Sequence, residues 1–426
     1  MSEHLDALET RDPALREAAL AAALPKQVAA AQRTPAFAEL LGGVDAGSVT
    51  SRAALARLPV LRKHELLERQ KAQRAQDPFG GFSAIGWRGL RAPSGAKRVF
   101  QSPGPIYEPE GQANDYWRIA RALHAAGFRA GDLIHNSFSY HLTPAGSMME
   151  SGAHAIGCTV FPGGIGNTEL QLQAMQELRP HGYCGTPSFL RIAFEKAAEA
   201  GITLPSLTKA LVSGEAFPPS LRDWLAERGV QGYQCYATAD VGLIAYETSA
   251  RQGLVLDEGV ILEIVRPGTG DPVPEPKAGE VPEVGEVVIT VLQADYPMLR
   301  FGTGDLSAVL PGSCPTGRTN MRIRGWLGRA DQTAKVRGMF VHPSQVAEIV
   351  RRHAEIARAR LEIGGEMAND RMTLKVELSG IAAEGLAQRI AETIREVTKL
   401  RGEVEFCAPA SLANDGKVID DTRKLV

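Results

Sequence analysis

KALVSGEAFPPSLRDWLAERGVQGYQCYATADVG, residues 209–242, is the stretch whose reading decides the fold. KALVSG (209–214) is a short apolar run ending at a glycine. PSLRDWLAERG (219–229) carries helical spacing and also stops at a glycine, while QGYQCYA (231–237) is a second short apolar run. Strand, helix and strand within one such span make a unit that pairs its strands in parallel. Working towards the N-terminus, DLIHNSF (132–138), CTVFP (158–162) and GYCG (182–185) read as further buried strands. TELQLQAMQELR (168–179) and SFLRIAFEKAAEAG (188–201) read as the helices between them. A helix is also expected over 112–126, with Tyr116, Ile119, Ala120 and Leu123 on one face. This alternation predicts a largely parallel sheet covered by helices.

Towards the C-terminus the character changes. VILEIV (260–265) and EVVITVL (286–292) flank a Pro- and Gly-rich turn and predict an antiparallel region. The tail reads as a β-α-β-β-α-β series: AKVRGMFVH, PSQVAEIVRRHA, a hairpin turning across Glu366–Asp370, GLAQRIAETIREVTKL and GEVEFC. The fold class is therefore α/β. A large N-terminal domain of mixed sheets with flanking helices precedes a small ferredoxin-like α+β C-terminal domain.

Composition narrows the function. Lys plus Arg is 47 against 49 for Asp plus Glu, a net charge of −2, so there is no basic excess to neutralise a nucleic-acid backbone. No run approaches the roughly 18 apolar residues of a membrane span. The acidic start, MSEHLDALETRDPALREAAL, lacks the basic and apolar segments of a signal peptide. Five scattered cysteines (158, 184, 235, 314, 407) build no disulfide scaffold. A cytoplasmic protein without nucleic-acid or membrane partners is expected, with a homodimer as a candidate assembly.

Single motifs are weak. GGIG (163–166) lacks dinucleotide-loop spacing and reads as a turn, Cys184 with His181 reads as a buried strand cysteine, and Cys314 has no second cysteine at metal-knuckle spacing. Four segments in order say more. SGEAFPPSLRDWL (213–225) ends a strand in a glycine and a carboxylate, and QCYATADVG (234–242) ends one in an aromatic with an acid four residues on. YPMLRFGTGDL (296–306) sets an Asp after a tight turn, and GRADQTAKVRG (328–338) holds Arg329 near Asp331. A glycine admits a planar ligand, an aromatic stacks on a base, an acid after a turn takes ribose hydroxyls, and another acid holds Mg²⁺. Together they predict a nucleotide site at the carboxyl ends of the strands.

With those segments the chain resembles the adenylate-forming enzymes, in particular the phenylacetate–CoA ligase group, from LETRDPALREAAL to NDGKVIDDTRK. The resemblance implies ATP-dependent activation of a carboxylic acid through an acyl-adenylate, followed by transfer to coenzyme A. The implied acid is aryl or arylalkanoic. It implies that Gly214, Glu215 and Ala216 line the adenine, that Tyr236 stacks on it, and that Asp305 and Arg329 contact the ribose. Asp240 stands where the family has a Mg²⁺-binding Glu. Asp331 matches the hinge of the small domain, and Lys417 the lysine between substrate carboxylate and α-phosphate. The implied domains are 1–328 and 332–426, joined by a hinge at 329–331, with alternation between two half-reactions. Phe138, Tyr140, His141 and Gly163 are the expected acyl pocket. The expected cofactors are ATP/AMP, Mg²⁺ and CoA; no zinc is expected.

One departure stands out. The family's phosphate loop, of the form SSGTTGKP, is replaced by RVFQSPGPIYEPEG (98–111), in which only Ser102 and Gly104 keep register. Pro103 and Pro105 lack the N–H groups of a phosphate cradle, and Glu108 adds negative charge. Ser94 and Lys97, just upstream, are substitute donors. The alternatives are a nucleotide- or adenylate-binding homologue without full ligase turnover, and an enzyme with a non-CoA acceptor.

Overall fold

In the computed structural model five strands run parallel, in the spatial order Thr159–Pro162, Leu133–Asn136, Gly182–Gly185, Lys209–Val212 and Gln231–Thr238. Gly242–Glu247 and Leu254–Leu256 extend the sheet antiparallel. The structure describes all residues except 1–2, 91–93, 278, 333, 337–338, 367–368, 414–416 and 424–426; of 331, 335, 339, 340, 366 and 369 it describes the backbone only.

The inner strands are short and largely buried because helices cover both faces. Gly182, Tyr183, Cys184 and Gly185 are all buried. Gly182 is required by packing, since a β-carbon there would lie 2.2 Å from the Phe128 ring. The helices Ala145–Ala155, Thr168–Leu178, Pro187–Glu199 and Pro219–Ala226 connect and cover the strands. Pro187 and Pro219 each sit in the first turn, where the missing N–H is no loss, and Thr186 caps the former by accepting from the Phe189 N–H. Val260–Val265 and Gly285–Val291 form the expected antiparallel pair, with Leu262 opposite Ile289. Among the described residues no helix is long and apolar enough to cross a membrane.

Contacts divide the chain into two units, Met1–Thr303 with Ala308–Trp326, and Gly304–Ser307 with Leu327–Val426. The smaller unit holds a four-stranded sheet in the order Glu403–Cys407, Asn369–Leu378, Ile356–Glu366, Ile419–Asp421. Helices Pro343–Arg352 and Leu386–Thr398 pack on it through Val346, Ile349, Ile390 and Ile394. The expected first strand of this unit differs. Ala334–Val336 and Met339–Val341 pair with each other as a separate hairpin, and the sheet's fourth strand is Ile419–Asp421.

The helix expected over 112–126 is cut to Ala120–Ala125. Asp115 (φ 50°) and Arg118 (φ 65°) are left-handed, which no helix tolerates. The Asp115 carboxylate accepts the Ala120 N–H at 3.0 Å, and burial pushes its carboxyl up to about 7. Arg118 turns out of register to donate to the Val241 and Leu243 carbonyls. It also meets Asp257 at 3.1 Å, while Arg121 reaches the other Asp257 oxygen at 3.5 Å. Arg121 continues to Asp6 (2.9 Å) and Glu9 (3.3 Å), and Glu9 to Arg318 at 2.6 Å. Asp257, Glu9 and Arg318 are each at most 2% exposed. Removing one partner of such a set strands a buried charge. Arg121→Ala is expected to cost about 3–5 kcal/mol in urea unfolding, well beyond an exposed Arg→Ala elsewhere.

Candidate active site

Open sheets of this kind gather ligand contacts where parallel strands end. Phe138 follows the strand Leu133–Asn136, Ser213 and Gly214 follow Lys209–Val212, and Ala237–Ala239 lie at the end of Gln231–Thr238. These segments bound a cavity of about 160 Å³. Its apolar wall is Pro144, Ala145, Met148 and Met149, on or just before the helix Ala145–Ala155, together with Phe138 and Thr143. Ser102 and Pro103 close it from the stretch that stands in for the phosphate loop.

That stretch is a β-hairpin, Arg98–Ser102 paired with Ile106–Glu110, Ser102 facing Ile106. Gly104 at its tip has φ 156°. The Ser102 hydroxyl does not point free for a ligand; it donates to Glu108 Oε1. Glu108 is fully buried, and burial with the nearby Asp240 pushes its carboxyl up to about 8. Asp240 is buried too, its Oδ2 paired at 2.9 Å with Lys63 at the start of the helix Lys63–Gln73. Three oxygens here have no hydrogen-bond partner among the described residues: Glu108 Oε2, Asp240 Oδ1 and the Tyr296 hydroxyl. Each costs about 1–3 kcal/mol if left unmatched. Two orphaned carboxylate oxygens are the hard donors that Mg²⁺ takes, so the residues at Asp240 fit the metal. Among the described residues no three His, Cys, Asp or Glu side chains form a metal cluster. Lys97 is 3.8 Å from Glu110 on the neighbouring strand.

The other expected residues divide. Gly214, Glu215 and Ala216 form an exposed turn; Gly214 borders the cavity, and Glu215 receives the Ser188 N–H at 3.4 Å. Tyr236 is half-buried, and its hydroxyl donates to Thr303 at 3.2 Å. Of the expected acyl-pocket residues, Phe138 lines the cavity; Tyr140, His141 and Gly163 do not. Tyr140 is a strut, its hydroxyl donating to Glu150 and accepting from Asn136, both at 2.8 Å. His141 is exposed. Gly163 sits where a β-carbon would come within 2.7 Å of the buried His135 ring. The lining methionines were missed, although the pair Met148–Met149 after SFSYHLTPAG was the available signal: Met fills and adapts apolar pockets. Cys184 is completely buried and burial drives its thiol well up, so it is no nucleophile. Cys314 lies against the Thr248 and Thr316 hydroxyls.

In the smaller unit, Asp305 and Arg329 face each other across an antiparallel bridge, with Arg329 Nη1 3.1 Å from Asp305 Oδ1. Asp331 lies in the turn Ala330–Gln332, its side chain outside the described part. Lys417 is exposed, 3.3 Å from Asp420.

A family model described as AMP-binding enzyme matches residues 124–290. The chain is 29% identical over 395 residues to a phenylacetate–coenzyme A ligase of Thermus thermophilus, covering 88% of this chain and 84% of that one. It is 28% identical over 393 residues to one of Aromatoleum evansii, covering 87% and 84%. Among solved structures it is similar to 2-hydroxyisobutyryl-CoA ligase. An open form in complex with 2-HIB-AMP and CoA gives a TM-score of 0.82 at 24% identity, covering 97% and 93%. A postadenylation form in complex with 2-HIB-AMP gives 0.74 at 25%, covering 97% and 91%.

The Ser102–Glu108 bond gives a direct test. In EDTA, Ser102→Ala is expected to lower unfolding free energy by about 1–3 kcal/mol, because it removes the hydroxyl that donates to the buried Glu108 carboxyl. In a Glu108→Leu background the same change is expected to be close to neutral. Equal costs in both backgrounds would show that the bond carries no stability.

Proposed function

We propose that the chain is an adenylate-forming, AMP-binding enzyme of the phenylacetate–CoA ligase-like group, and that it activates a carboxylic acid carrying a single small ring and passes the acyl group to coenzyme A. A carboxylate oxygen attacks the α-phosphorus of ATP and pyrophosphate leaves. The CoA thiol then attacks the acyl carbonyl, loses its proton, and AMP leaves.

The cavity carries the reading on the acid. Two of its walls come from segments whose sequence suits a nucleotide, the Ser213–Gly214 turn and the Ala237–Ala239 strand end, and a third is the tip of the hairpin that stands in for the phosphate loop. Its remaining wall is apolar, so a non-polar acyl body would lie beside the phosphate end of a nucleotide. About 160 Å³ is close to the roughly 150 Å³ that takes a benzene ring in an apolar cavity. A ring, or an aliphatic group of like bulk, matches this half-open space.

In this reading Gly214, Glu215, Ala216 and Tyr236 receive the adenine, and Asp305 and Arg329 the ribose. Lys417 neutralises charge developing between the carboxylate and the α-phosphate, and the smaller unit turns at Asp331 between the half-reactions. Asp240 would hold Mg²⁺, whose chemistry when bound is to offset phosphate charge.

The test is pyrophosphate release with ATP, Mg²⁺ and a panel of carboxylic acids, with thioester followed by mass spectrometry. Benzoate- and phenylacetate-type acids are expected to give release and CoA-dependent thioester, and palmitate none. Lys417→Ala is expected to slow adenylation about 10²-fold or more, yet still to convert synthetic acyl-adenylate and CoA to thioester. Met149→Trp, which fills the cavity, is expected to raise KM for ring acids about tenfold or more. Silence across the panel with AMP still bound would favour the second reading, nucleotide binding without turnover, which the donor-poor hairpin supports.

A further inference from the structure

The hairpin at 98–110 has lost the phosphate-binding groups of the loop it replaces, and it has gained Glu108. A buried carboxylate without a cationic partner of its own is costly, so Glu108 calls for an explanation beyond the hairpin's own pairing. The Ser102 hydroxyl answers for one of its oxygens. Side chains from three distant segments lie within electrostatic reach of the carboxyl: Lys63, Asp240 and Tyr296, with Asp240 Oδ1 and the Tyr296 hydroxyl, like Glu108 Oε2, lacking a hydrogen-bond partner among the described residues. Tyr296 is itself 3% exposed, and its hydroxyl lies within electrostatic reach of both carboxylates. Two carboxylates share one ammonium, and that ammonium is engaged by Asp240 Oδ2. The group sits directly behind the cavity, since Ser102 and Ala239 line it while Glu108 bonds the first and Asp240 follows the second.

We propose that Glu108 and Asp240 together ligate one divalent cation, with the Tyr296 hydroxyl donating to a water on that ion, and that the site takes up the metal before any nucleotide arrives. Mg²⁺ suits such a site because it keeps several waters and needs one or two carboxylates, leaving positions open for phosphate oxygens. A protein-held cation would then stand in for the loop's missing lysine and threonines. Asp240 alone, already paired with Lys63, would depend on the nucleotide to bring its metal; Glu108 removes that dependence. The role in acid activation rests on the function proposed above, but the site itself does not.

The experiment titrates the full-length, metal-free protein with Mn²⁺ and reads the free-ion electron paramagnetic resonance signal, with no ATP, acid or CoA present. Wild type is expected to remove one equivalent of Mn²⁺ and to release it to excess Mg²⁺. Glu108→Gln and Asp240→Asn are each expected to weaken binding by at least about tenfold. Circular dichroism and thermal unfolding in EDTA establish that each variant is folded. Should a variant not fold, Mg²⁺-dependent thermal stabilisation of the wild type, expected to be present without nucleotide, replaces it. No Mn²⁺ uptake without nucleotide, or uptake undiminished in Glu108→Gln, overturns the proposal. Neither result touches the ligase reading, which fails only in the pyrophosphate assay.

Discussion

Asp257 cannot be left alone. It is buried, burial raises its carboxyl, and an unpaired charge there would cost several kcal/mol. Arg118 and Arg121 neutralise it, and their geometry dictates much around them. To reach Asp257 the chain at 115–118 must leave helical geometry, so the helix starts only at Ala120. Arg121 then has guanidinium nitrogens left over, and these hold Asp6 and Glu9. Glu9 in turn satisfies Arg318, more than three hundred residues away. A chain of charge pairs thus ties the N-terminal segment and the Arg318 loop to the start of the parallel sheet, whose ends make the cavity.

The same rule, that a buried charge must be answered, operates at the site. A phosphate loop offers N–H groups and hydroxyls to a ligand and so must keep them free. Here Pro103 and Pro105 have no N–H to offer, and Ser102 spends its hydroxyl on Glu108. The segment is therefore built as a paired hairpin whose strands bond to each other, with its buried Glu108 within electrostatic reach of Asp240, Lys63 and Tyr296.

What the sequence made legible was the part set by local pattern. The parallel strands were readable because each is a short apolar run between helix signals, and the 260–265 with 286–292 pair because its runs flank a turn. Phe138 and Gly214, read at strand ends, border the cavity there. The failures share one cause, long-range pairing. Tyr116, Ile119 and Leu123 keep helical spacing, and nothing local warns that Arg118 is claimed by Asp257. Tyr140 looked like a pocket aromatic because its partner Glu150 lies on the next helix. Ile419–Asp421 was too short and polar to read as a strand; it forms because the edge of Ile356–Glu366 was open to it. In the sequence Glu108 reads only as an added negative charge, because nothing local shows that Asp240, 132 positions on, lies within electrostatic reach of it.

The separability of these features bears on what the altered loop changes. An adenylate is held by its base, its ribose and one phosphate, whereas the loop's N–H groups, hydroxyls and lysine serve the two phosphates that leave. Loss of those donors therefore weakens hold on the leaving group without touching recognition of the acyl-adenylate. A leaving group can be stabilised by fixed N–H dipoles or by a fixed cation, and both act by being preorganised where charge develops. Backbone donors need a flexible, glycine-rich turn that approaches the phosphate. A cation needs buried oxygens held rigidly, and a hairpin supplies rigidity better than a loop. On the proposal made here, the prolines and Glu108 belong together: a stiff, paired hairpin holds a buried carboxyl within electrostatic reach of Asp240, and a cation bound between them would offset the charge that backbone donors offset in a glycine-rich loop.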